Sequence, residues 1–224
     1  LSGPLAKFRD VRVYDATGQR VPPRGCALLP ACVAGRAGAK CLVGYSLKTG
    51  LAEEALLESE TASELPMWKR LAGRLRYGVL YLMDLAFFER ALFAQAKAAG
   101  AHVLMRLKTG TRFIVTGHMR GRRHVVLPAW SLSKYLHVAS RRRGTLYDLD
   151  VRWGRGRDAV DLRVVGLSHG GAAGIRWYLT TVPRAQLSAA EIVETYRLRW
   201  LIEFLFREMK QNADALSIAQ DSGG

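Results

Sequence analysis

The sequence predicts an α/β fold in which helices flank a mixed sheet and a β-rich segment precedes the last helix. Three observations support this prediction. The apolar run Val79–Met83 ends at an aspartate and is followed by helix-forming residues, a pattern typical of strand–helix units. Residues 111–168 divide into short β-prone pieces separated by basic turns. A capping box, Ser188-x-x-Glu191, marks the start of a helix predicted over residues 188–210.

The first predicted strand follows Phe8, where the residues alternate between two faces. Val11, Val13 and Asp15 fall on one face, and the following Ala-Thr-Gly indicates a loop. A strand that ends in this way presents the Asp15 carboxylate at the edge of a sheet. Asp10 is the alternative acidic residue here, although it lies on the other face and precedes the strand.

The next segments are a loop, a hairpin and a helix. Residues 21–38 are rich in proline and glycine and are predicted to form the loop. The hairpin turns at Lys48-Thr49-Gly50, and the helix covers residues 63–76.

The second informative aspartate, Asp84, closes the apolar strand. Residues from Phe87 to Ala99 are helix-forming, and Gly100 stops the helix. Ligands of α/β folds bind outside the carboxyl ends of the strands, which favours a functional carboxylate at this position. An aspartate that merely caps the helix is the alternative, and the two roles are compatible.

The β-prone pieces of residues 111–168 are separated by the arginine-rich turns GRRH, SRRRGT and GRGRD. Such turns are suited to phosphate contacts, which position a nucleic acid without reading its sequence. The aspartates of this segment are predicted to be solvated or paired with neighbouring arginines: Asp148, Asp150, Asp158 and Asp161. The sequence GIRWYLTTVP then predicts one more strand.

The helix over residues 188–210 combines a largely apolar circumference with one polar seam. Its polar side chains share a stripe about 60° wide; they are Tyr196, Arg199, Glu203 and Lys210. Such an apolar helix is normally buried, and buried charges are costly unless they are paired or bind a metal or ligand. The seam is therefore predicted to face an active cleft. The alternative is a core helix whose few charged side chains reach solvent.

Composition favours a polyanionic partner. The chain has 34 Lys and Arg against 19 Asp and Glu, a net charge of +15, so nucleic acid is the first candidate. No membrane span and no signal peptide are predicted. Cys26, Cys32 and Cys41 lack nearby histidines and are predicted to be free thiols in a reducing cytoplasm rather than zinc ligands.

The spacing Y-x2-R-x3-E-x6-K of the polar seam, with Trp200 and Ile202 around the glutamate, resembles the signature helix of DDE transposases of bacterial insertion sequences. The resemblance is to the insertion-sequence-four family, the Y-R-E-K branch. It implies a fold like ribonuclease H, with a β-rich insertion before the last catalytic helix. Asp15-Ala16-Thr17 is similar to the D-x-T context of the family's first aspartate. Asp84-Leu85-Ala86-Phe87 is similar to its D-x-G-[FY] motif, with Ala86 in place of the glycine.

The resemblance implies that Asp15, Asp84 and Glu203 are catalytic and bind metal, with two Mg²⁺ or Mn²⁺ ions expected. The implied reaction is nicking at the ends of the insertion sequence, followed by attack of the freed 3′-hydroxyl in strand transfer. The implied partners are double-stranded DNA, both transposon ends and target, and a second copy of the chain in a synaptic dimer. The implied location is the bacterial cytoplasm, with the nucleoid.

The resemblance also implies DNA contacts. Tyr196, Arg199 and Lys210 would hold the transposon end, and Arg106 and Lys108 would lie near the DNA, unless they only mark a solvated strand end. Trp177 resembles a tryptophan that stacks on a flipped base in some family members, and a tryptophan packed in the core is the alternative.

The domain organisation expected from these patterns is a catalytic core interrupted by an insertion. Residues 1–110 and 169–212 would form the core, residues 111–168 the insertion, and residues 213–224 a tail. The chain begins without a methionine, and little of it follows Lys210. A truncated or degenerate transposase remnant that binds DNA without catalysis is therefore the alternative, as is a non-transposing nuclease with the same core.

Overall fold

The computed structural model describes residues 2–20, 38–71, 75–138, 143–170 and 174–208. Its ten strands, in chain order, are β1 (Asp10–Arg20), β2 (Gly38–Ser46), β3 (Leu51–Ser59), β4 (Val79–Met83), β5 (His102–Arg106), β6 (Phe113–Arg120), β7 (Arg123–Ser131), β8 (Leu146–Trp153), β9 (Val160–Ser168) and β10 (Ile175–Thr180). The helices are α1 (Glu64–Leu71), α2 (Arg90–Ala98), α3 (Leu132–Val138), α4 (Ala189–Arg197) and α5, described over residues 200–208. Short 3-10 helices cover Gly3–Lys7, Leu85–Phe87 and Gly156–Asp158.

All ten strands belong to one sheet, in the order β3-β2-β1-β4-β5-β10-β9-β8-β6-β7. The three central strands β1, β4 and β5 are parallel, and the other pairings are antiparallel. The predicted mixed α/β fold is therefore confirmed. All five residues of β4 are buried, as expected for a parallel strand covered on both faces.

The segment of residues 111–168 supplies β6 to β9, as its pattern predicts. These strands continue the central sheet, because β9 pairs with β10 and β10 pairs with β5. The short helix α3 was not predicted. It begins where β7 ends.

Three predicted boundaries were wrong. The helix predicted over residues 63–76 is too long, because α1 covers Glu64–Leu71 and residues 75 and 76 are not helical. The first strand does not end at Asp15 but runs on to Arg20, because β2 pairs with it along residues 12–20. The helix expected from Phe87 begins at Arg90, and a 3-10 turn capped by Asp84 comes before it. The predicted hairpin at residues 48–50 is confirmed, and Gly50 there has the positive φ of 72° that favours glycine. The predicted loop lies outside the described residues except for Gly38, which begins β2.

The last predicted helix is divided in two. Its capping box is confirmed, with Ser188 and Glu191 each accepting the other's backbone N–H. At Leu198 and Arg199 the helix gives way to a turn. The N–H groups of residues 198, 199, 201 and 202 each bond to the carbonyl three residues back. Bonds of this kind wind the chain more tightly than an α-helix, so α4 and α5 do not share one continuous set of faces.

Among the described residues, no helix is long and apolar enough to cross a membrane. Cys41 is a free thiol, and burial raises its pKa. The predictions for Cys26 and Cys32 concern positions outside the described residues.

Candidate active site

Asp15 on β1 and Asp84, the residue that follows β4, are close enough for their charges to interact. The last pair of the two parallel strands is Val13 with Leu82, and continuing this register by two residues would bring Asp15 level with Asp84. Neighbouring strands are about 4.8 Å apart, so the two carboxylates emerge at adjacent positions. Asp15 reaches this place although its strand continues, because β4 ends at Met83 and leaves that side of β1 uncovered.

Arg199 joins the first aspartate to the glutamate of the last helix. Its Nη1 donates to Asp15 Oδ2 at 3.1 Å, and its Nη2 donates to Glu203 Oε1 at 2.6 Å. The side chains of Asp15 and Arg199 are 16% and 13% exposed, so water screens this contact only partly. One guanidinium thus holds together two carboxylates that are 188 residues apart in sequence (203 − 15).

The electrostatics show that the three predicted carboxylates are close enough to repel one another. Burial raises the pKa of Asp15, and the nearby charges of Asp84 and Glu203 raise it further. The backbone N–H of Ala16 and the guanidinium of Arg199 act in the opposite direction. A cation placed among such groups relieves their repulsion, and in this structure Arg199 has that role for Asp15 and Glu203.

The sequence matches the model of the transposase DDE domain over residues 6–219. The chain belongs to the transposase DDE domain family. This is a class of DNA-cleaving and DNA-transferring enzymes that generally use divalent metal ions. The mixed sheet and its helices are consistent with the ribonuclease-H-like fold of these transposases. None of the curated proteins matches the sequence significantly.

The carboxylates of this DDE domain fit a divalent metal in their chemistry, since Mg²⁺ and Mn²⁺ prefer oxygen ligands. Within the described part of the chain, no three His, Cys, Asp or Glu side chains are grouped so that they could hold an ion. The predicted carboxylates have other contacts. Arg199 lies between Asp15 and Glu203, and Asp84 Oδ1 accepts the backbone N–H of Ala86 at 2.5 Å.

Tyr196 anchors the DDE domain's last helices to the sheet beside Asp84. Its hydroxyl donates to the carbonyl of Met83 at 3.2 Å, and the residue is only 5% exposed. Burial raises the pKa of Tyr196 to about 12, so the hydroxyl keeps its proton at neutral pH. The DNA contact expected for Tyr196 stays a prediction, and the structure adds a positioning contact that the sequence did not indicate.

Glu64 is a fourth carboxylate near the site, and sequence reasoning missed it. It opens α1 and is half-buried, and burial followed by the charge of Asp84 raises its pKa, with a smaller contribution from Asp15. Lys40 Nζ, 3.9 Å away, opposes this rise. In the sequence, Glu64 stands two residues before Pro66. This local pattern indicates the start of a helix and gives no sign of a functional carboxylate.

Asp10 lies away from these carboxylates, in a separate network on the other face of β1. It accepts hydrogen bonds from the Val11 N–H at 2.8 Å, Arg12 Nε at 3.1 Å and the Ser46 hydroxyl at 2.8 Å. Its partner Arg12 also pairs with Glu53 and Glu54. Among the described residues, all of these contacts are internal to the hairpin side of the sheet.

The remaining predicted DNA contacts occupy different surroundings. Arg106 and Lys108 are exposed at the end of β5. Trp177 is partly buried on β10, where its ring lies over Gly166 and 5.3 Å from the ring of Tyr147. Lys210 lies outside the described residues. The structure does not test these DNA contacts, which stay predictions.

Proposed function

We propose that this chain cleaves and transfers DNA strands at the ends of an insertion sequence, as a member of the insertion-sequence-four, Y-R-E-K branch. The observation that carries the proposal is the ion-paired set Asp15–Arg199–Glu203 beside Asp84. The same residues that resemble the family's motifs converge from three distant parts of the chain. If Arg199 served only to stabilise the fold by pairing with Asp15 and Glu203, a third carboxylate, Asp84, would not be needed at the end of the neighbouring strand.

In the proposed reaction, Asp15, Asp84 and Glu203 hold divalent ions through their carboxylate oxygens. Two such ions, Mg²⁺ or Mn²⁺, would supply a deprotonated nucleophile and charge stabilisation for the leaving oxygen. Tyr196 keeps the last helices in place against the end of β4. Arg199, when it leaves Asp15 and Glu203, presents a planar fork suited to a DNA phosphate. Its buried Nε has no hydrogen-bond partner among the described residues, which leaves a donor for that contact.

The proposed partners follow from the same site and from the net charge of +15. They are the double-stranded DNA of the transposon ends and target and a second copy of the chain in a synaptic dimer. The proposed location is the bacterial cytoplasm, in association with the nucleoid. The chain's excess of Lys and Arg supports DNA binding through its phosphates.

Metal dependence tests the proposal directly. We expect the protein to nick DNA that carries the flanking ends of its own gene in Mg²⁺ or Mn²⁺, and to lose this activity completely in EDTA. Gel analysis of end-labelled DNA would locate the cut, and strand transfer would appear as joined products. Nicking without preference for those ends would favour a non-transposing nuclease. Binding without cutting would favour the catalytically inactive remnant. Either result contradicts the proposed function.

The position of Arg199 predicts that it competes with divalent ions for Asp15 and Glu203. We expect Arg199→Gln to bind Mn²⁺ more tightly than the wild type, because the carboxylates lose their resident counter-cation and their repulsion increases. The melting temperature in EDTA should fall for the same reason, and the rise on adding Mn²⁺ should be larger. Calorimetry and thermal melts measure both effects without any need for turnover.

Arg197→Gln is the matched control, since Arg197 ends α4 two residues before Arg199 but pairs only with the exposed Glu194 in the described structure. It should leave Mn²⁺ affinity unchanged. Equal or weaker Mn²⁺ binding by Arg199→Gln would show that the guanidinium does not occupy a cation position.

A further inference from the structure

A large basic cleft lies next to the carboxylates, on the side of the sheet edge where β5 ends. It has a volume of about 1080 Å³ and is lined by the connection from β5 to β6, the start of α3, the end of β8 and the start of β10. The start of α2 contributes Arg90. The cleft does not include Asp15, Asp84 or Glu203, so it is separate from the candidate active site.

The lining of the cleft contains many cations and no carboxylate. Six of the cations have no ion-pair partner in the part of the chain that the structure describes: Arg90, Arg106, Lys108, Arg112, Arg155 and Arg176. Arg152 also lines the cleft and pairs with Asp161 at its rim. The arginines that serve the fold, such as Arg12 and Arg163, each pair with a carboxylate. Concentrated positive charge without an internal partner is typical of a polyanion-binding surface.

Other features of the lining suit a phosphate backbone. Hydroxyl side chains of Thr109, Thr111, Ser131 and Ser133 lie among the cations, and hydroxyls commonly contact phosphates and sugars. Trp153 forms a packed part of the wall, 5.2 Å from the Phe113 ring and 4.9 Å from the Phe88 ring. The cleft is therefore shaped by a fixed aromatic wall, and the charged side chains extend from its edges.

The cleft begins one strand away from the carboxylates. Met83 of β4 pairs with Met105 of β5. Asp84 and Arg106 are the residues that directly follow this last pair, on chains about 4.8 Å apart where they pair. Beyond Arg106, the Leu107 N–H bonds to the carbonyl of Trp177 at 2.8 Å, which fixes the floor of the cleft to β10. A strand whose phosphate lies at Asp84 meets the basic cleft directly.

We propose that the cleft binds the sugar-phosphate backbone of the DNA strand that continues from the scissile phosphate. The residues newly assigned to this contact are Arg90, Arg112, Arg155 and Arg176. This inference rests on the proposed function, because it takes DNA as the polyanion. The contact is independent of base sequence, since arginine and hydroxyl groups that bind phosphates position a strand without reading it.

The test compares two double variants of equal charge. Arg112→Gln/Arg155→Gln removes two cations from the cleft. The control Arg9→Gln/Lys48→Gln removes two exposed cations outside the lining, at the end of β1 away from Asp15. Affinity for a labelled duplex is measured by anisotropy in EDTA over a range of salt concentrations. Each lost phosphate contact lowers the slope of log K against log salt by about 0.9. We expect the cleft variant to lose about 1.8 in slope by this rule, and the control variant Arg9→Gln/Lys48→Gln to lose none.

The position of the contact is tested with methylphosphonate substitutions along the strand. Neutralising the phosphates immediately next to the scissile position should weaken wild-type binding and should have no further effect on the cleft variant. Equal slopes for the two double variants, or the same methylphosphonate sensitivity in wild type and cleft variant, would overturn the proposal. If millimolar pyrophosphate displaced the DNA from the wild type but not from the cleft variant, the cleft would be a small-anion site, and the proposal would be wrong. Circular dichroism melts establish that both variants are folded.

Binding in EDTA requires no catalysis, so this test and the nicking test can fail separately. A cleft variant with the reduced slope in a protein that never nicks DNA would support the cleft and reject the proposed function. If the protein nicked the insertion-sequence ends in a metal-dependent way but the cleft variant kept the wild-type salt slope, the result would support the proposed function and reject the cleft.

Discussion

Replacement of Glu203 by glutamine should lower Mn²⁺-dependent DNA nicking by a factor of about 10³ or more, because metal-ion charge stabilisation is worth several kcal/mol and about 1.4 kcal/mol corresponds to a tenfold change in rate. Glutamine keeps the size of the side chain but removes the negative charge that an ion requires. Among the described residues, the hydrogen-bond partner of this carboxylate is Arg199, at 2.6 Å. The loss should therefore appear in turnover, while DNA affinity in EDTA stays close to that of the wild type.

Glu194→Gln is the matched control for this experiment. Glu194 is an exposed carboxylate on α4, and it pairs with the exposed Arg197. It should nick DNA at the wild-type rate, as measured by single-turnover assays with end-labelled DNA. If Glu203→Gln retained activity within tenfold of the wild type, the assignment of this glutamate to the metal site would be wrong.

Replacement of Arg163 by methionine should destabilise the protein by about 3–5 kcal/mol, the cost of removing one partner from a buried ion pair. Arg163 is 5% exposed, and its Nε and Nη2 both donate to Asp148 at 2.8 Å. Its Nη1 donates to the carbonyls of Leu187 at 2.7 Å and Val182 at 3.3 Å. These carbonyls lie just before the cap of α4, so the substitution should also weaken the start of the helix that carries Tyr196.

The Arg152–Asp161 pair provides the control, since it joins the same two strands in the same bidentate way but is exposed, at 50% and 60% for the two side chains. Arg152→Met should leave the unfolding midpoint almost unchanged, because exposed ion pairs contribute little. Urea denaturation followed by circular dichroism compares the two variants. Similar midpoints for both would show that burial does not determine the importance of these pairs.

Local patterns were sufficient to predict most of the sheet. The run Val79–Met83 is apolar throughout, and only a strand buried on both faces accounts for so short a segment. The hairpin of β2 and β3 turns at Lys48-Thr49-Gly50, where Gly50 has the positive φ that glycine adopts readily. The capping box at Ser188 has a defined hydrogen-bond pattern, which the structure reproduces. In each case the residues that determine the structure are neighbours in sequence.

The errors arose where distant residues determine the local structure. Asp15 sits in the middle of β1 because β2, whose own start follows a long intervening segment, extends the pairing. The division of the last helix at Leu198 and Arg199 lies between the Tyr196 contact with Met83 and the Arg199 contact with Asp15. Neither contact can be predicted from helical periodicity, because each depends on a strand residue more than 100 positions away in sequence.

The candidate site was predictable in its residue types but not in its pairing. Asp15, Asp84 and Glu203 were selected by motif and order, and the structure places Asp15 and Glu203 on one guanidinium beside Asp84. Glu64 was missed because a single acidic residue at a helix start has an ordinary local explanation. The cleft was missed because its cations come from four separate segments, and no sequence window contains more than a few of them.

The single hydrogen-bonded sheet has a mechanical consequence for a DNA strand bound across it. In the described residues, hydrogen-bonded strands connect the carboxylates at β1 and after β4 to the basic cleft beyond β5, and the Leu107 N–H bonds to the carbonyl of Trp177. If the cleft holds the DNA backbone, this sheet sets the number of nucleotides between the bound phosphates and the cleavage site. A DNA strand shifted by one nucleotide would bring a different phosphate to the carboxylates, and its contacts with the cleft would be equally strong. The precision of the cut would then have to come from whatever recognises the end sequence.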